Sequence, residues 1–382
     1  MEDKKIRIGI DATNLNLGGG RSHILNIVEK FNPSKHNIER ITIYGTQDLL
    51  DSLPSFPWLD KKTFKLLNKG LMLRYVWLLF FSKSIFKVDC DILFSPSGLY
   101  FGNFKPYVSM SRNMMLFDKV QMNVQKGVLK YKLLLSRFMN VKSMKNADGV
   151  IFISEFAHNE ISKELRLKSE MSCKINHGIS DRFKKRPFER NYVFQRSHLI
   201  NILYVSHVYS YKHPWNVVKA ISKLFKEGYL VNLDLVGGGN KLDINRLNKT
   251  IGALDPERLF VKYHGNQPYS RINEFYKNAD IFVYASTCEN MPNILLESMS
   301  ASLPIACSKY EPMPEFLEDA GIYFDPLEID SIYNALKELI NSESKRRVYG
   351  ERAYNLSENY SWEKTSIETF NFLEQVFRRY SK

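Results

Sequence analysis

Two carboxylates and one ammonium group carry most of the chemistry that can be read from this chain. Glu289 and Glu297 stand eight residues apart in the run ENMPNILLE. On a continuous helix that spacing is about two turns, so the two side chains would lie on related faces. With a short polar loop over residues 287–290 and a helix opening at Pro292 and Asn293, Glu289 can reach one part of a ligand and Glu297 another. Proline is tolerated in a first turn, and asparagine is a good cap. Such a pair suits a sugar nucleotide, with one carboxylate accepting from ribose hydroxyls and the other from the sugar. A carboxylate near an anomeric carbon also stabilises an oxocarbenium-like transition state. Upstream, LYVSHVYSYKH (residues 203–213) reads as a strand end followed by a cationic loop. Lys212 there, helped by His207 and by the amides that open the later helix, would neutralise a diphosphate. Gly18, Gly19 and Gly20 directly precede another helix-like run, where bare backbone and a helix N-terminus favour an anion. Read singly, each feature has a plainer account: Glu297 as an exposed helical glutamate, Lys212 as a surface lysine, the glycines as a surface turn.

These residues need a scaffold that brings strand ends together. Short apolar runs bounded by polar residues recur at 6–10, 41–44, 91–96, 107–110, 149–154, 200–205, 233–236, 260–263, 281–285 and 305–307. Many alternate with helix-length segments, the pattern of parallel sheets covered by helices on both faces. The expected class is α/β, with two Rossmann-like domains whose sheets face a cleft: residues 1–182 and residues 198–362. The charged stretch 182–198 reads as a linker, and a last helix, about 363–382, reads as returning to the first domain. Ligands usually lie beyond the carboxyl ends of such strands. Asp89-Cys90-Asp91 resembles a DxD metal motif but precedes a strand instead of following one, so it reads as a solvated strand entry.

The chain has 382 residues, 44% hydrophobic and 25% charged, and a formal charge of +13. Four scattered cysteines without a CxxC pair exclude a disulfide framework and a cysteine zinc site, and imply reduced thiols in the cytoplasm. No leader is expected, since the charged start runs straight into a strand-like segment. The apolar run 75–81 is too short to span a bilayer, which takes about 20 residues. Basic charge is concentrated: between residues 103 and 146, Asp118 is the only acid against nine lysines and arginines. Within that stretch, residues 126–145 read as an amphipathic helix. Its apolar positions (Val128, Leu129, Leu133, Leu134, Phe138, Met139) would pack on a core or face lipid, and its lysines would face water or anionic head groups.

Over nearly its whole length the chain resembles the retaining, two-domain (GT-B) glycosyltransferases of family 4, in particular the branch with bacterial O-antigen mannosyltransferases. The residues that carry the resemblance are the Gly18–Gly20 loop, His177-Gly178-Ile179, the His207/Lys212 pair, Gly265, and the E-x7-E from Glu289 to Glu297. It implies that Lys212 binds a donor diphosphate and Glu297 a ribose. Glu289 would contact the donor sugar, the backbone at Asn290, Met291, Pro292 and Asn293 would line sugar and phosphate, Gly265 would lie by the base, and the glycine loop near the diphosphate. Two positions depart from the family. His207 stands where it has arginine, which lowers positive charge at neutral pH. Arg112, followed by Asn113, stands where it has a histidine and aspartate; an arginine can hold a phosphate or the sugar but cannot act as a base.

The resemblance implies a metal-independent, retaining hexosyltransferase with Glu289, Lys212 and Arg112 at its reacting centre. It needs no cofactor beyond its substrate, a GDP- or UDP-linked sugar, mannose or similar. The acceptor would be a lipid-linked surface polysaccharide, as in lipopolysaccharide or O-antigen synthesis, met at the inner face of the cytoplasmic membrane. Three other readings stay open: an epimerase on the same fold, a catalytically weak donor-binding subunit, and a nucleic-acid binder, for which no recognition motif is present.

Overall fold

The computed structural model describes residues 5–15, 18–124, 127–195 and 197–381. The chain divides into two compact units, Met1–Gly178 with Tyr360–Lys382, and Ile179–Asn359. The architecture is α/β, as the alternation of apolar runs and helices requires.

Among its described residues the first unit holds seven strands: β1 (Ile6–Asp11), β2 (Ile38–Tyr44), β3 (Leu59–Lys62), β4 (Ile92–Ser95), β5 (Tyr107–Ser111), β6 (Gly149–Phe152) and β7 (Ser172–Lys174). All pair in parallel, in the order β3-β2-β1-β4-β5-β6-β7. Every residue of β4, β5 and β6 is buried, which explains why they read as unbroken runs and not as alternating ones. The Trp362–Tyr380 helix belongs to this unit. Its Phe370 ring meets Phe31 edge-on at 4.6 Å, and the Ser366 hydroxyl donates to the Ile27 carbonyl at 2.7 Å. Gly178 lies so close to this returning segment that a Cβ would sit 2.1 Å from the Trp362 amide nitrogen, so no other residue fits there.

Two expectations for this unit are refined. Asp89 and Asp91 are both committed to the protein. Asp89 accepts from the Tyr44 hydroxyl (2.8 Å) and Lys62 (2.7 Å), while Asp91 pairs with Arg7 (3.1 Å). The amphipathic helix spans Gly127–Asn146; Lys126 and the side chain of Val128 lie outside the described residues. Only its C-terminal part is buried, at Ser143 and Met144, whereas Leu129, Tyr131, Leu134, Leu135 and Phe138 are exposed. Leu135 is 60% exposed and Phe138 64%, so the core takes only part of this helix's apolar surface.

The second unit holds, among its described residues, β8 (Ile200–Val205), β9 (Val231–Val236), β10 (Val261–Tyr263), β11 (Ile281–Tyr284), β12 (Ile305–Ser308) and β13 (Ile322–Phe324). They too are parallel, in the order β10-β9-β8-β11-β12-β13. The Pro214–Lys226 helix buries Val217, Val218, Ile221 and Leu224, one stripe of a 3.6-residue period. That stripe shares a core with Leu233, Ile332, Leu336 and Leu339. The stretch read as a linker is folded onto this unit. The Arg190 guanidinium donates to the carbonyls of Tyr276 and Ala279, both at 2.6 Å, and of Ala301. These carbonyls end the Tyr269–Asn278 and Asn293–Ser300 helices, where orphan acceptors and the negative end of the dipole favour a cation.

Candidate functional site

Strand order reverses between β8 and β11, and their carboxyl-end loops therefore open side by side at a topological switch point. The β8 loop passes through a single turn, Ser210–Lys212, then His213 in the left-handed region (φ 49°), before Pro214 begins a helix. The β11 loop is stitched to it: the Thr287 amide donates to the Tyr211 carbonyl at 2.9 Å, and the Thr287 hydroxyl at 3.2 Å. This brings Lys212 and Glu289 into a direct ion pair in which the side chains are only 7% and 14% exposed. Tyr284, the last residue of β11, donates to the same carboxylate oxygen, Oε1, at 2.5 Å, and its hydroxyl lies 3.2 Å from Lys212 Nζ. Burial and the neighbouring Glu289 charge hold the Tyr284 phenol far above its ordinary pKa, so it stays a donor.

Glu297 forms a separate cluster. It is buried on the Asn293–Ser300 helix, with the Tyr269 hydroxyl donating to Oε1 (3.1 Å) and the Tyr276 hydroxyl to Oε2 (3.0 Å). Rings join the two clusters: Tyr276 lies 5.7 Å from Phe282, and Phe282 lies 6.1 Å from Tyr284. Thus the two glutamates are tied to opposite ends of one aromatic row. Burial pushes the Glu297 carboxyl up to about 7, and the two phenols only partly offset this. Its folded pKa exceeds that of the unfolded chain. Its contribution to stability is therefore complete below the ordinary value near 4.5 and is lost as pH rises towards 7. Glu297→Gln should remove a fall of about 3 kcal/mol over that interval, checked by denaturant unfolding of both proteins at pH 4.5, 6 and 7.5.

The remaining residues singled out in this unit have distinct placements. Asn290, Met291 and Pro292 are buried in the turn before the helix. The helix starts at Asn293, with Pro292 in the capping position and no side-chain cap. The expected asparagine cap is therefore absent: Asn293 is already helical, its amide donates to the Met291 carbonyl (3.0 Å), and its buried Oδ1 has no partner. His207 is exposed, with its ring 5.6 Å from that of Tyr209. Gly265 adopts φ 64°, a conformation glycine supplies without strain, and its carbonyl accepts from the Gly237 amide at 2.8 Å.

In the first unit, Gly18, Gly19 and Gly20 open the Gly18–Glu29 helix. Arg112, just beyond β5, reaches them. Its Nη1 lies 2.8 Å from where a Cβ on Gly20 would be, and Nη2 lies 3.2 Å from one on Gly19. Burial lowers the Arg112 pKa to about 10.

Several groups at the site escaped the sequence reading. Nothing local to Tyr269, Tyr276 or Tyr284 shows that their hydroxyls converge on carboxylates. Arg182 was assigned to the linker, yet its guanidinium lies 3.5 Å over the Tyr269 ring, with Nε and Nη2 buried and unpartnered. Gly237, Gly238 and Gly239 had a readable signal, three glycines after an apolar strand. A Cβ on Gly237 would lie 1.9 Å from the Ser206 carbonyl oxygen, and one on Gly239 2.3 Å from that of Val208. The glycines thus let the β8 and β9 loops pack backbone to backbone.

The chain is 30% identical over 112 residues to O-antigen chain mannosyltransferase B of Escherichia coli, a stretch covering 29% of each chain. It is 24% identical over 329 residues, 78% of each chain, to the uncharacterized glycosyltransferase MJ1069 of Methanocaldococcus jannaschii. The matched stretch thus spans under a third of the first relative and about four-fifths of the second. Its fold is similar to that of Anabaena HepE, solved in complex with UDP and glucose (TM-score 0.68, 15% identity, 99% of this chain and 100% of that one). The two parallel-sheet units are those of the GT-B fold. Residues 186–356 match the family described as "Glycosyl transferases group 1". Lys212, Glu289 and Glu297 all lie within the segment that matches this family.

Proposed function

We propose that this protein is a retaining, metal-independent glycosyltransferase. It moves a hexose, mannose or a similar sugar, from a GDP- or UDP-linked donor to a hydroxyl of a lipid-linked surface polysaccharide. The observation that carries this reading is the buried Lys212–Glu289–Tyr284 cluster at the strand-order reversal of a group 1 domain. In the step envisaged, the bond between the anomeric carbon and the β-phosphate oxygen breaks and the acceptor oxygen attacks from the same face. The departing phosphate takes the acceptor's proton. Lys212 and the opening amides of the Asn293–Ser300 helix offset charge on the leaving diphosphate, and Glu289 offsets positive charge at the anomeric carbon. Glu297 accepts from the ribose hydroxyls. The binding of UDP and glucose by HepE and the name of the mannosyltransferase support this class of donor.

The exposed Leu129, Tyr131, Leu134, Leu135 and Phe138, interleaved with Lys130, Lys132, Lys142 and Lys145, support an acceptor met at an anionic membrane surface. Among the described residues no helix is long and apolar enough to cross a membrane.

Calorimetry against GDP, UDP and their sugars tests the reading. One nucleotide series should bind at micromolar Kd. Because ribose needs an ionised Glu297, its affinity should rise between pH 6 and 8 in the wild type and stay flat in Glu297→Gln. Absence of binding by any nucleotide diphosphate would overturn the proposal.

A further inference from the structure

Lys212 stands between two residues that share one hydroxyl. The Thr287 hydroxyl donates to the Tyr211 carbonyl at 3.2 Å, and the His213 ring nitrogen Nε2 lies 3.2 Å from the same Oγ1. A threonine hydroxyl has a single hydrogen, and the Tyr211 carbonyl takes it, so Nε2 carries a proton and donates to Oγ1. This relay, from His213 through Thr287 to Tyr211, straddles Lys212. The Lys212 carbonyl in turn accepts from the buried Tyr204 hydroxyl, and its amide donates to the Tyr209 carbonyl at 3.0 Å. The backbone on both sides of the lysine is thereby held, and its side chain leaves the loop towards Glu289 and Tyr284.

His213 occupies its place against its backbone preference. At φ 49° and ψ 39° it is left-handed, a conformation that glycine adopts freely and that crowds the β-carbon of any other residue. Such residues persist where the surroundings hold them, and they cluster at sites where geometry matters. The imidazole is half-buried and edge-on to Trp215, with ring centroids 6.4 Å apart. Burial and Arg246 lower its pKa to about 4, against the opposing pull of Asp325. Being neutral, the ring contributes a hydrogen bond without a second positive charge beside Lys212, at the start of a helix whose dipole already disfavours one. We propose that His213 is a positioning residue: through the Thr287 hydroxyl it fixes the direction in which Lys212 presents its ammonium group to a nucleotide diphosphate. The inference rests on the role given to Lys212 above and adds a residue that acts at one remove from the ligand.

The test is calorimetry of the full chain with UDP, GDP and their monophosphates, alongside thermal unfolding. His213→Gly relieves the left-handed residue while removing the ring, so the Tm should change little. Diphosphate affinity should fall about tenfold, as expected when a binding group is displaced and not deleted, and monophosphate affinity should stay within about twofold. His213→Gln returns an N–H near the position of Nε2 and should recover most of the diphosphate affinity. Thr287→Val removes the shared oxygen and should reproduce the loss. Combined with His213→Gly it should add little, because both variants break one relay. Wild-type diphosphate affinity in His213→Gly and Thr287→Val would overturn the inference, and so would equal losses of mono- and diphosphate affinity, the mark of a merely structural role. Lys212→Met separates this inference from the reading beneath it. If Lys212→Met loses diphosphate affinity and His213→Gly keeps it, only the positioning role falls. If Lys212→Met binds UDP and GDP as the wild type does, the role of Lys212 itself falls.

Discussion

Glu289→Gln is expected to lower sugar transfer by at least roughly 100-fold while nucleotide diphosphate affinity holds or improves. The two effects run in opposite directions for one reason. Lys212 is paired with Glu289 in a buried ion pair, which offsets its charge. Glutamine keeps an oxygen that can accept from Lys212 and Tyr284, so the loop remains stitched, but the lysine's charge is then wholly available to a diphosphate. The reacting carbon, by contrast, loses the one carboxylate assigned to its developing positive charge. Initial-rate assays with donor and acceptor, paired with calorimetry of the nucleotide, separate the two. Turnover at the wild-type level in this variant would remove Glu289 from the reaction.

Lys212→Met tests the other half of the pair. The methionine approximates the lysine stem, so packing against Tyr211 and Tyr284, whose ring centroids lie 5.3 Å from Nζ, is largely kept. What disappears is the only cation that pairs with Glu289 among the described residues. Nucleotide diphosphate affinity should fall about 100-fold, the order expected when one charge-assisted contact is removed from a buried site. The nucleoside monophosphate should lose far less, because it lacks the second phosphate. Stability should also drop, by about 3 kcal/mol, since Glu289 is left as an uncompensated buried charge. In the double variant Glu289→Gln, Lys212→Met much of that loss should return, as coupled groups are not additive. Chemical denaturation of the four proteins checks this, and full additivity would show that the pair is not an energetic unit.

Features with a local cause were readable in the chain. Strand runs such as 200–205 and 281–285 announce themselves because a parallel strand buried on both faces must be continuously apolar. Glycines at 18–20 and a proline at 292 mark helix starts through backbone chemistry that needs no partner. Where the cause is distant, reading failed. The Asn293 cap was misplaced because the buried turn at Asn290 and Met291 moves the capping position to Pro292. Arg190 was read as part of a charged linker, since its three carbonyl partners lie 86 to 111 residues away. The helix at 127–146 shows the same limit. Its pattern predicts an apolar face, but which residues the core covers depends on what the rest of the unit leaves open.

The sequence alone determined the α/β class, the parallel sheets, and the residue types at 212, 289 and 297, because these follow from hydrophobic period and spacing along one stretch of chain. Only the tertiary structure decided that Lys212 neutralises Glu289, that Tyr269 and Tyr276 converge on Glu297, and that Arg112 lies on Gly19 and Gly20. These pairings depend on strand order. The reversal that places β8 beside β11 joins residues 77 apart in the chain, and no local pattern encodes that order, since it is set by how whole helices and strands share one core.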